Sequence, residues 1–314
     1  MLSSSMMVWL RSFDAAARHA NFTRAAAELC VSQGAISQQV KSLEDALRRP
    51  LFIRGARSLT LTPEGERLHA VARDAFRALD STLMQLRRTD ERDDVSLSCS
   101  PSFAMGWLTP RLSNFFREHA DIHLKLHGEF HALDRSRLLR EGLAAAVRYD
   151  LGQYKDLEAS AFLDEWLIPV ASPAFLKQHP GLKRPSDLRP QWLLHDAEPW
   201  KGASEFEEWE YWLEHAGVRL DDLEQGRRFN LAQLAQAAAA AGQGVAMGRA
   251  ALVLDDLVKG HLVDIFGLRV PSGASYHFVT AARAEGPVSV VEAWLRTEAQ
   301  SFRAACTQRL AHLR

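Results

Sequence analysis

Polar side chains between positions 32 and 41 are suited to contact with nucleic acid. Amide and hydroxyl side chains hydrogen-bond the edges of bases, and a lysine ammonium group pairs with phosphate. Apolar residues recur every three or four positions from Ile36 to Leu47, so the polar residues share the opposite face of one helix. The residues that we predict to contact DNA from this helix are Ser32, Gln33, Ser37, Gln38 and Lys41.

A shorter helix precedes this one and completes a helix-turn-helix. It carries Leu29 and Ala26, whose small side chain allows the two helices to cross closely. Ser32 can cap the second helix by accepting a hydrogen bond from a free backbone amide. Cys30 stands where many such turns have glycine, so we expect a turn without a left-handed glycine, or one shifted by a residue. Residues 23–47 therefore predict the motif that places its second helix in the DNA major groove.

A β-wing is expected directly after the two helices. Short apolar runs at residues 51–54 and 59–62 flank a turn that contains Gly55. Arg54 and Arg57 are placed near the tip of this wing. At that position they would meet flanking phosphates or the minor groove, and we include both among the DNA-binding residues.

This region closely resembles the N-terminal region of LysR-type transcriptional regulators. The resemblance lies in the order and spacing of four blocks, FTRAAAEL, VSQGAISQQVKSLE, LFIR and LTPEG. The resemblance is strongest over residues 8–66 and extends over the rest at the level of the fold. It implies a sequence-specific regulator of double-stranded promoter DNA, whose binding or bending is modulated by a small-molecule effector. It also implies self-association into dimers and tetramers, and contact with RNA polymerase at activated promoters.

A long helix is predicted to follow the winged helix-turn-helix domain, which we assign to residues 1–62. Pro63 suits the first position of a helix. A heptad seam then runs through Leu68, Ala72, Ala75, Leu79, Thr82 and Leu86. Such a seam either pairs two helices or packs a helix on its own domain. The resemblance favours a dimerising linker helix, and we assign it, with a polar hinge, to residues 63–92.

Strands and helices alternate from residue 93 to the end, which indicates an α/β domain. The strands are predicted at 95–99, 122–126, 143–148, 157–162, 166–171, 192–195, 245–248, 262–266 and 276–280, and the helices at 110–118, 173–179, 206–215, 231–241, 250–259 and 287–310. The resemblance implies a two-lobed regulatory domain like a periplasmic binding protein, joined by two crossover strands. We place lobe I at about 93–164 and 268–314, and lobe II at about 165–267.

An effector site is expected where the first strand of this domain ends. Ser100 and Ser102 lie at the start of the next helix, whose free amides favour an anion, and Phe103 follows them. The alternative is that the serines only cap the helix. In the LysR family this segment lines the effector cleft between the lobes, which implies that role here.

Other candidates follow later strands. Arg148 and Tyr149 resemble the IRYG-like segment of the branch that includes glycine-cleavage activators and β-lactamase regulators, although Asp150 replaces the glycine. Arg148 either clamps a ligand carboxylate or pairs with Asp150 or another acid. His195, Trp200 and Asn230 follow strands of the second lobe and would face the cleft, although Trp200 could equally be a packed lid residue. A carboxylate-bearing effector, such as an amino acid, is expected.

Other classes of function receive little support. The histidines at 119, 123, 127 and 131 have no acid or cysteine to complete a zinc set, and the glycines at 242, 244 and 248 follow a helix instead of opening one. We therefore expect neither a metal nor a cofactor. No nucleophile has a base beside it, which argues against an enzyme.

Charge and cysteine content indicate which end of the chain binds DNA and in which compartment the protein acts. Eight basic against four acidic residues in positions 1–62 make that end basic, while the whole chain carries a net charge of −1. Three distant cysteines suit a reducing compartment. With no signal peptide visible and no apolar run near the roughly 20 residues that span a bilayer, we expect a cytoplasmic protein with no membrane partner.

Overall fold

The computed structural model describes residues 3–54, 59–87 and 93–311. The chain divides into two compact units: Met1–Thr89 with Leu139–Gly142, and Asp90–Leu138 with Leu143–Arg314. The elements of the first unit are α1 (Ser4–His19), α2 (Phe22–Glu28), α3 (Gln33–Leu47), β1 (Phe52–Arg54), β2 (Leu59–Leu61) and α4 (Pro63–Arg87). The helix-turn-helix is therefore α2 and α3, and β1 pairs antiparallel with β2 as the strands of the wing.

The first unit folds around a small apolar core. Ile36, Val40 and Leu43 of α3 are buried there against Phe13 of α1. Leu47, the last residue of α3, is 41% exposed and does not continue the buried stripe. The reason is that the chain leaves the helix at the next residue and turns back along the core.

The turn between α2 and α3 has no left-handed glycine, which agrees with one of the two expectations for it. Cys30 itself takes the left-handed conformation, with φ 57°. A left-handed residue is therefore present in this turn, and a side chain occupies the position that glycine usually fills. Ser32 is the N-cap of α3, and its Oγ accepts a hydrogen bond from the Ala35 amide at 3.2 Å.

The linker helix α4 changes its surroundings along its length. Leu68 is half-buried and packs on the core of the first unit, and Ala72 is buried. Farther along, Leu79 is 50% exposed. The side chains of Thr82 and Leu86 lie outside the described part. The first half of the heptad seam therefore packs on the core of the first unit, whereas Leu79 is exposed and could contact another protein surface.

The second unit is built on one mixed sheet. Its strands are β3 (Asp93–Cys99), β4 (Ile122–Gly128), β5 (Ala145–Asp150), β6 (Glu158–Ala171), β7 (Leu193–Asp196), β8 (Arg227–Phe229), β9 (Val245–Arg249), β10 (Val263–Asp264) and β11 (Val270–Thr280). Its helices are α5 (Pro101–Phe103), α6 (Leu112–Glu118), α7 (Arg135–Arg140, whose last two residues are assigned to the first unit), α8 (Pro173–Gln178), α9 (Glu207–His215), α10 (Ala232–Ala240), α11 (Ala250–Lys259) and α12 (Gly286–Ala311). A π-helical turn and a 3₁₀ turn connect α5 to α6.

Two long strands join two lobes of this sheet. The strand order is β4-β3-β5-β11-β6-β9-β7-β8, with β10 added on β6. β11 pairs antiparallel with β5, and β6 pairs antiparallel with β9, while β11 and β6 pair with each other. Parallel strands β3, β4 and β5 therefore form one lobe, and β7, β8 and β9 form the other.

One sequence prediction about these strands is wrong. The segments 157–162 and 166–171 were predicted as two strands, and the structure joins them in β6. The acidic pair Asp164 and Glu165, which looks like a break, lies inside the strand. Glu165 is buried, and its carboxyl group accepts hydrogen bonds from the Ala251 amide at the start of α11, at 3.0 Å, and from the amide of its neighbour Trp166.

Candidate functional sites

The outer face of α3 presents the residues expected to read DNA. Gln33, Gln38 and Lys41 are exposed, and Ser37 is half-buried. Ser32 has its hydroxyl engaged as the helix cap. Of the wing arginines, Arg54 lies in β1 with its side chain outside the described part, and Arg57 lies outside the described residues.

A cavity of about 800 Å³ opens in the second unit. It lies where β3, β5, β7 and β9 end, so both lobes contribute to its wall. This volume is in the range of sites for small molecules. The sequence-predicted residues that line it are Ser100, Ser102, Arg148, Tyr149, Trp200 and Asn230.

Two expected residues do not line this cavity. Phe103 is buried in the core, stacked on Trp107 at 5.1 Å and in contact with Tyr276. His195 is buried against Phe206 on the other face of β7, because successive side chains of a strand point to opposite faces. Burial lowers the pKa of His195 to about 4, so its ring is neutral at physiological pH. The next residue, Asp196, lines the cavity in its place.

The two serines have different partners. Ser100 caps α5 by accepting from the Phe103 amide at 3.4 Å. Ser102 instead accepts from the amide of Gln233, at 3.2 Å, in the first turn of α10. A hydroxyl of lobe I thus contacts the N-terminus of a helix in lobe II. Leu231, the N-cap of α10, supplies no side-chain acceptor of its own. The amide-rich end of α10 therefore lies at the cavity wall.

Arg148 is held by groups of its own lobe. Its guanidinium donates to Glu129 Oε1 and to Ser98 Oγ, each at 2.8 Å. The acid that it pairs with is Glu129, not Asp150. Asp150 accepts from the Gly152 amide at 2.8 Å and lies 3.2 Å from His277. Arg148 therefore contributes to the cavity wall with its charge already compensated.

A second arginine, which the sequence reading missed, lies at the cavity between two buried acids. Arg249 ends β9, and its guanidinium donates to Asp196 at 2.8 Å and to Glu208 at 2.7 Å. It also covers the ring of Tyr149 at 4.0 Å. Burial raises the pKa of Glu208 despite the attraction of Arg249. For Arg249 the two carboxylates outweigh burial and hold its pKa above the ordinary value.

Tyr149 joins this group to the opposite wall. The indole of Trp200, from lobe II, meets the Tyr149 ring edge-on at 5.6 Å. The position of Arg249, at the carboxyl end of a predicted strand, could have suggested it as a candidate. The acids Asp196 and Glu208 could not be connected to it without the fold, because they lie on separate elements.

His123 and Gly242, from the sets considered for metal and cofactor binding, lie in a strand and just after a helix. His123 is exposed on β4, as expected for a strand and not a helix. Among residues 3–54, 59–87 and 93–311, no three side chains of the kinds that bind metals come together. Gly242 takes φ 79° just after α10, before β9. In the same ranges no helix combines the length and the apolar character that crossing a membrane requires.

Two family models match this chain. The lysR-family bacterial regulatory helix-turn-helix protein model matches residues 7–66, and the LysR substrate binding domain model matches residues 88–303. The glycine cleavage system transcriptional activator of Escherichia coli (strain K12) is 35% identical over 293 residues, 92% of each chain. The HTH-type transcriptional activator AmpR of Pseudomonas aeruginosa is 34% identical over 286 residues, 91% of this chain and 92% of the other.

Solved structures show the same architecture. The effector domain of AmpR from P. aeruginosa has a TM-score of 0.57 at 27% identity and covers 69% of this chain and 100% of its own. Full-length CbnR in complex with its target DNA has a TM-score of 0.59 at 19% identity, covering 94% and 99%. Full-length LysG from Corynebacterium glutamicum, with bound effector Arg, has a TM-score of 0.54 at 18% identity, covering 94% and 98%.

Proposed function

The chain belongs to the LysR family of DNA-binding transcriptional regulators, and we propose that it reads its operator with α3 and responds to a carboxylate-bearing effector in the cavity between its lobes. The observation that carries the effector class is the N-terminus of α10 at the cavity wall, with Ser102 beside it. Backbone amides at a helix start stabilise a negative charge. Both cavity arginines are already paired with acids, so we place the anion at the helix end, in a cavity that Lys201 also lines.

An amino acid fits this cavity better than a simple carboxylic acid. Glu198 lines the lobe II side and provides negative charge for an ammonium group, whereas Asp196 beside it is already paired with Arg249. The related activators named for glycine cleavage, and the bound arginine of LysG, support amino-acid effectors. Contact with both lobes would favour one arrangement of them over another, which is how a ligand shifts a conformational equilibrium.

We expect Ser102→Ala to weaken effector binding while leaving operator binding unchanged. The variant removes a hydroxyl donor from the anion site, and a hydrogen bond to a charged group is worth about 1.5–3 kcal/mol. Thermal-shift titration with amino acids and with their methyl esters measures the effect, because a bound ligand raises the melting temperature by mass action. The wild-type protein should respond to an acid and not to its ester.

Ser289→Ala is the matched control, because Ser289 only donates to Gly286 O at the start of α12. It should bind the effector like the wild-type protein. Equal affinities of Ser102→Ala and wild type would place the carboxylate elsewhere.

We expect Gln38→Ala to reduce discrimination between the operator and random DNA. An exposed glutamine on the outer face of α3 can make a bidentate contact to adenine, and such a contact is worth about 1–3 kcal/mol. Competition gel shifts measure the ratio of the two affinities. Gln33 is tested in the same way. A loss that is equal on both DNAs would show that the residue contacts only phosphate.

We further propose how the protein assembles, in which compartment it acts and which protein it contacts at promoters. LysR regulators are oligomeric, and we propose dimers paired through α4 and assembled into tetramers. We also propose that the protein acts in the cytoplasm and contacts RNA polymerase at the promoters it activates. Its relatives are transcriptional regulators, which are not enzymes, and we propose no catalytic activity.

A further inference from the structure

The start of β1, the first strand of the wing, is hydrogen-bonded to α3 through the carboxylate of Glu44. Glu44 lies near the end of α3, and its Oε1 accepts hydrogen bonds from the Leu51 amide at 2.7 Å and from the Phe52 amide at 3.2 Å. Hydrogen bonds to an ionised acceptor are roughly twice as strong as those between neutral groups. A single side chain of α3 thus holds two successive peptide groups at the start of β1.

The path of the chain makes this attachment necessary. α3 ends at Leu47, its C-cap Arg48 takes φ 52°, and the chain then returns beside the helix. The side chains of Leu51 and Phe52 are buried in the core of the first unit, so their backbone amides need an acceptor from the protein. Glu44, half-buried beside them, supplies it.

The same strand is attached to the linker helix from its other side. The Thr62 amide donates to Leu51 O at 3.0 Å, and the Thr62 hydroxyl donates to Pro50 O at 2.9 Å. At Gly65, in the first turn of α4, a Cβ atom would lie 2.2 Å from Leu51 O, so the helix backbone itself meets the strand there. Leu51 therefore has its amide held by α3 and its carbonyl held by the start of α4.

We propose that Glu44 is a positioning residue for DNA binding: it sets the wing relative to the base-reading face of α3. β1 leads into the segment that carries Arg54 and Arg57, and β2 returns from it. α3 and the wing contact different parts of the DNA, so both engage only when their relative position is correct. Glu44 contacts no DNA in this arrangement and acts through the strand. This role goes beyond the proposed function, because it concerns how two DNA contacts are coupled.

The test uses the full chain and a duplex that the unaltered protein selects from a random library. Glu44→Ala should bind that duplex with a shallower dependence of log K on log salt, by about one unit for each wing contact to phosphate that is lost. Hydroxyl-radical footprints should lose protection at the flanks of the site. Methylation protection in the major groove should remain, because α3 keeps its own packing.

Asp45→Ala is the matched control, since it removes the same charge from the next, exposed position of α3. It should keep the wild-type slope and footprint. Glu44→Asp retains the charge with a shorter reach and should lower the slope as Glu44→Ala does; it carries the test if circular dichroism shows that Glu44→Ala is unfolded. A merely stabilising role would lower the melting temperature and leave slope and footprint unchanged. That result, or equal slopes for the Glu44 and Asp45 variants, would overturn the proposal.

Discussion

Replacing Arg249 by alanine should lower the free energy of unfolding by about 3–5 kcal/mol, because it leaves buried acids without their partner. Asp196 and Glu208 are both buried and paired with Arg249. An ionised carboxylate can only accept hydrogen bonds, so each acid needs a donor. Without the guanidinium, one or both must take up a proton or remain charged in an apolar environment. The variant also removes the cation from the Tyr149 ring. Urea denaturation followed by circular dichroism measures the loss.

Arg228→Ala is the control for that measurement. Arg228 pairs with Glu205 at 2.9 Å, but both side chains are about half exposed. An exposed pair is worth only about 0–1 kcal/mol, so this variant should unfold like the wild type. Similar losses for the two arginines would contradict our view that burial of the acids determines the effect.

Replacing Leu79 by aspartate should abolish high-affinity binding to an operator with two half-sites. Leu79 lies on the heptad seam of α4 and is 50% exposed in the single chain. In a paired helix the substitution would place a carboxylate in the apolar seam of both chains. The two DNA-binding heads could then no longer engage two half-sites together. Gel shifts on duplexes with one and with two half-sites, together with sedimentation equilibrium of the full chain, measure both consequences.

Val71→Asp is the matched control, because Val71 is 69% exposed on the same helix but off the seam. It should bind two half-sites like the wild type. If the two variants bind equally well, α4 does not pair through this seam. If the two bind equally poorly, the pairing surface is not the heptad seam.

The sequence carried enough information to identify the DNA-binding head. The residues from Ile36 to Leu43 recur with a helical period, and the side chains between them are polar, so one face had to be buried and the other exposed. Secondary-structure elements of the second unit were also predicted for the most part, because apolar runs and turn residues are local properties. The joined strand β6 is one exception, because Glu165 within it accepts a hydrogen bond from the Ala251 amide, 86 residues later in the chain. Strand β8 and helix α7 are others, since neither had a predicted counterpart.

The cavity of the second unit shows what local sequence information cannot predict. Sequence placed Ser100, Ser102, Arg148 and Trp200 at strand ends, and the fold brings all four to one cavity. Which of them remains available for a ligand is a different question. Arg148 is committed to Glu129, and Ser102 contacts α10 across the cavity. These partners lie 19 and 131 residues away in the chain, so no spacing rule reveals them.

By itself, the sequence determined the family, the helix-turn-helix with its polar exposed face, and the α/β character of the second unit, because these follow from short-range periodicity and motif order. Only the tertiary structure decided that His195 faces the core and Asp196 the cavity, that Arg249 lies between two buried acids, and that Glu44 accepts hydrogen bonds from the Leu51 and Phe52 amides. Each of these depends on contacts between elements distant in sequence or on which face of a strand is covered. Burial then determines which charges are paired and which groups are left for a ligand or for DNA.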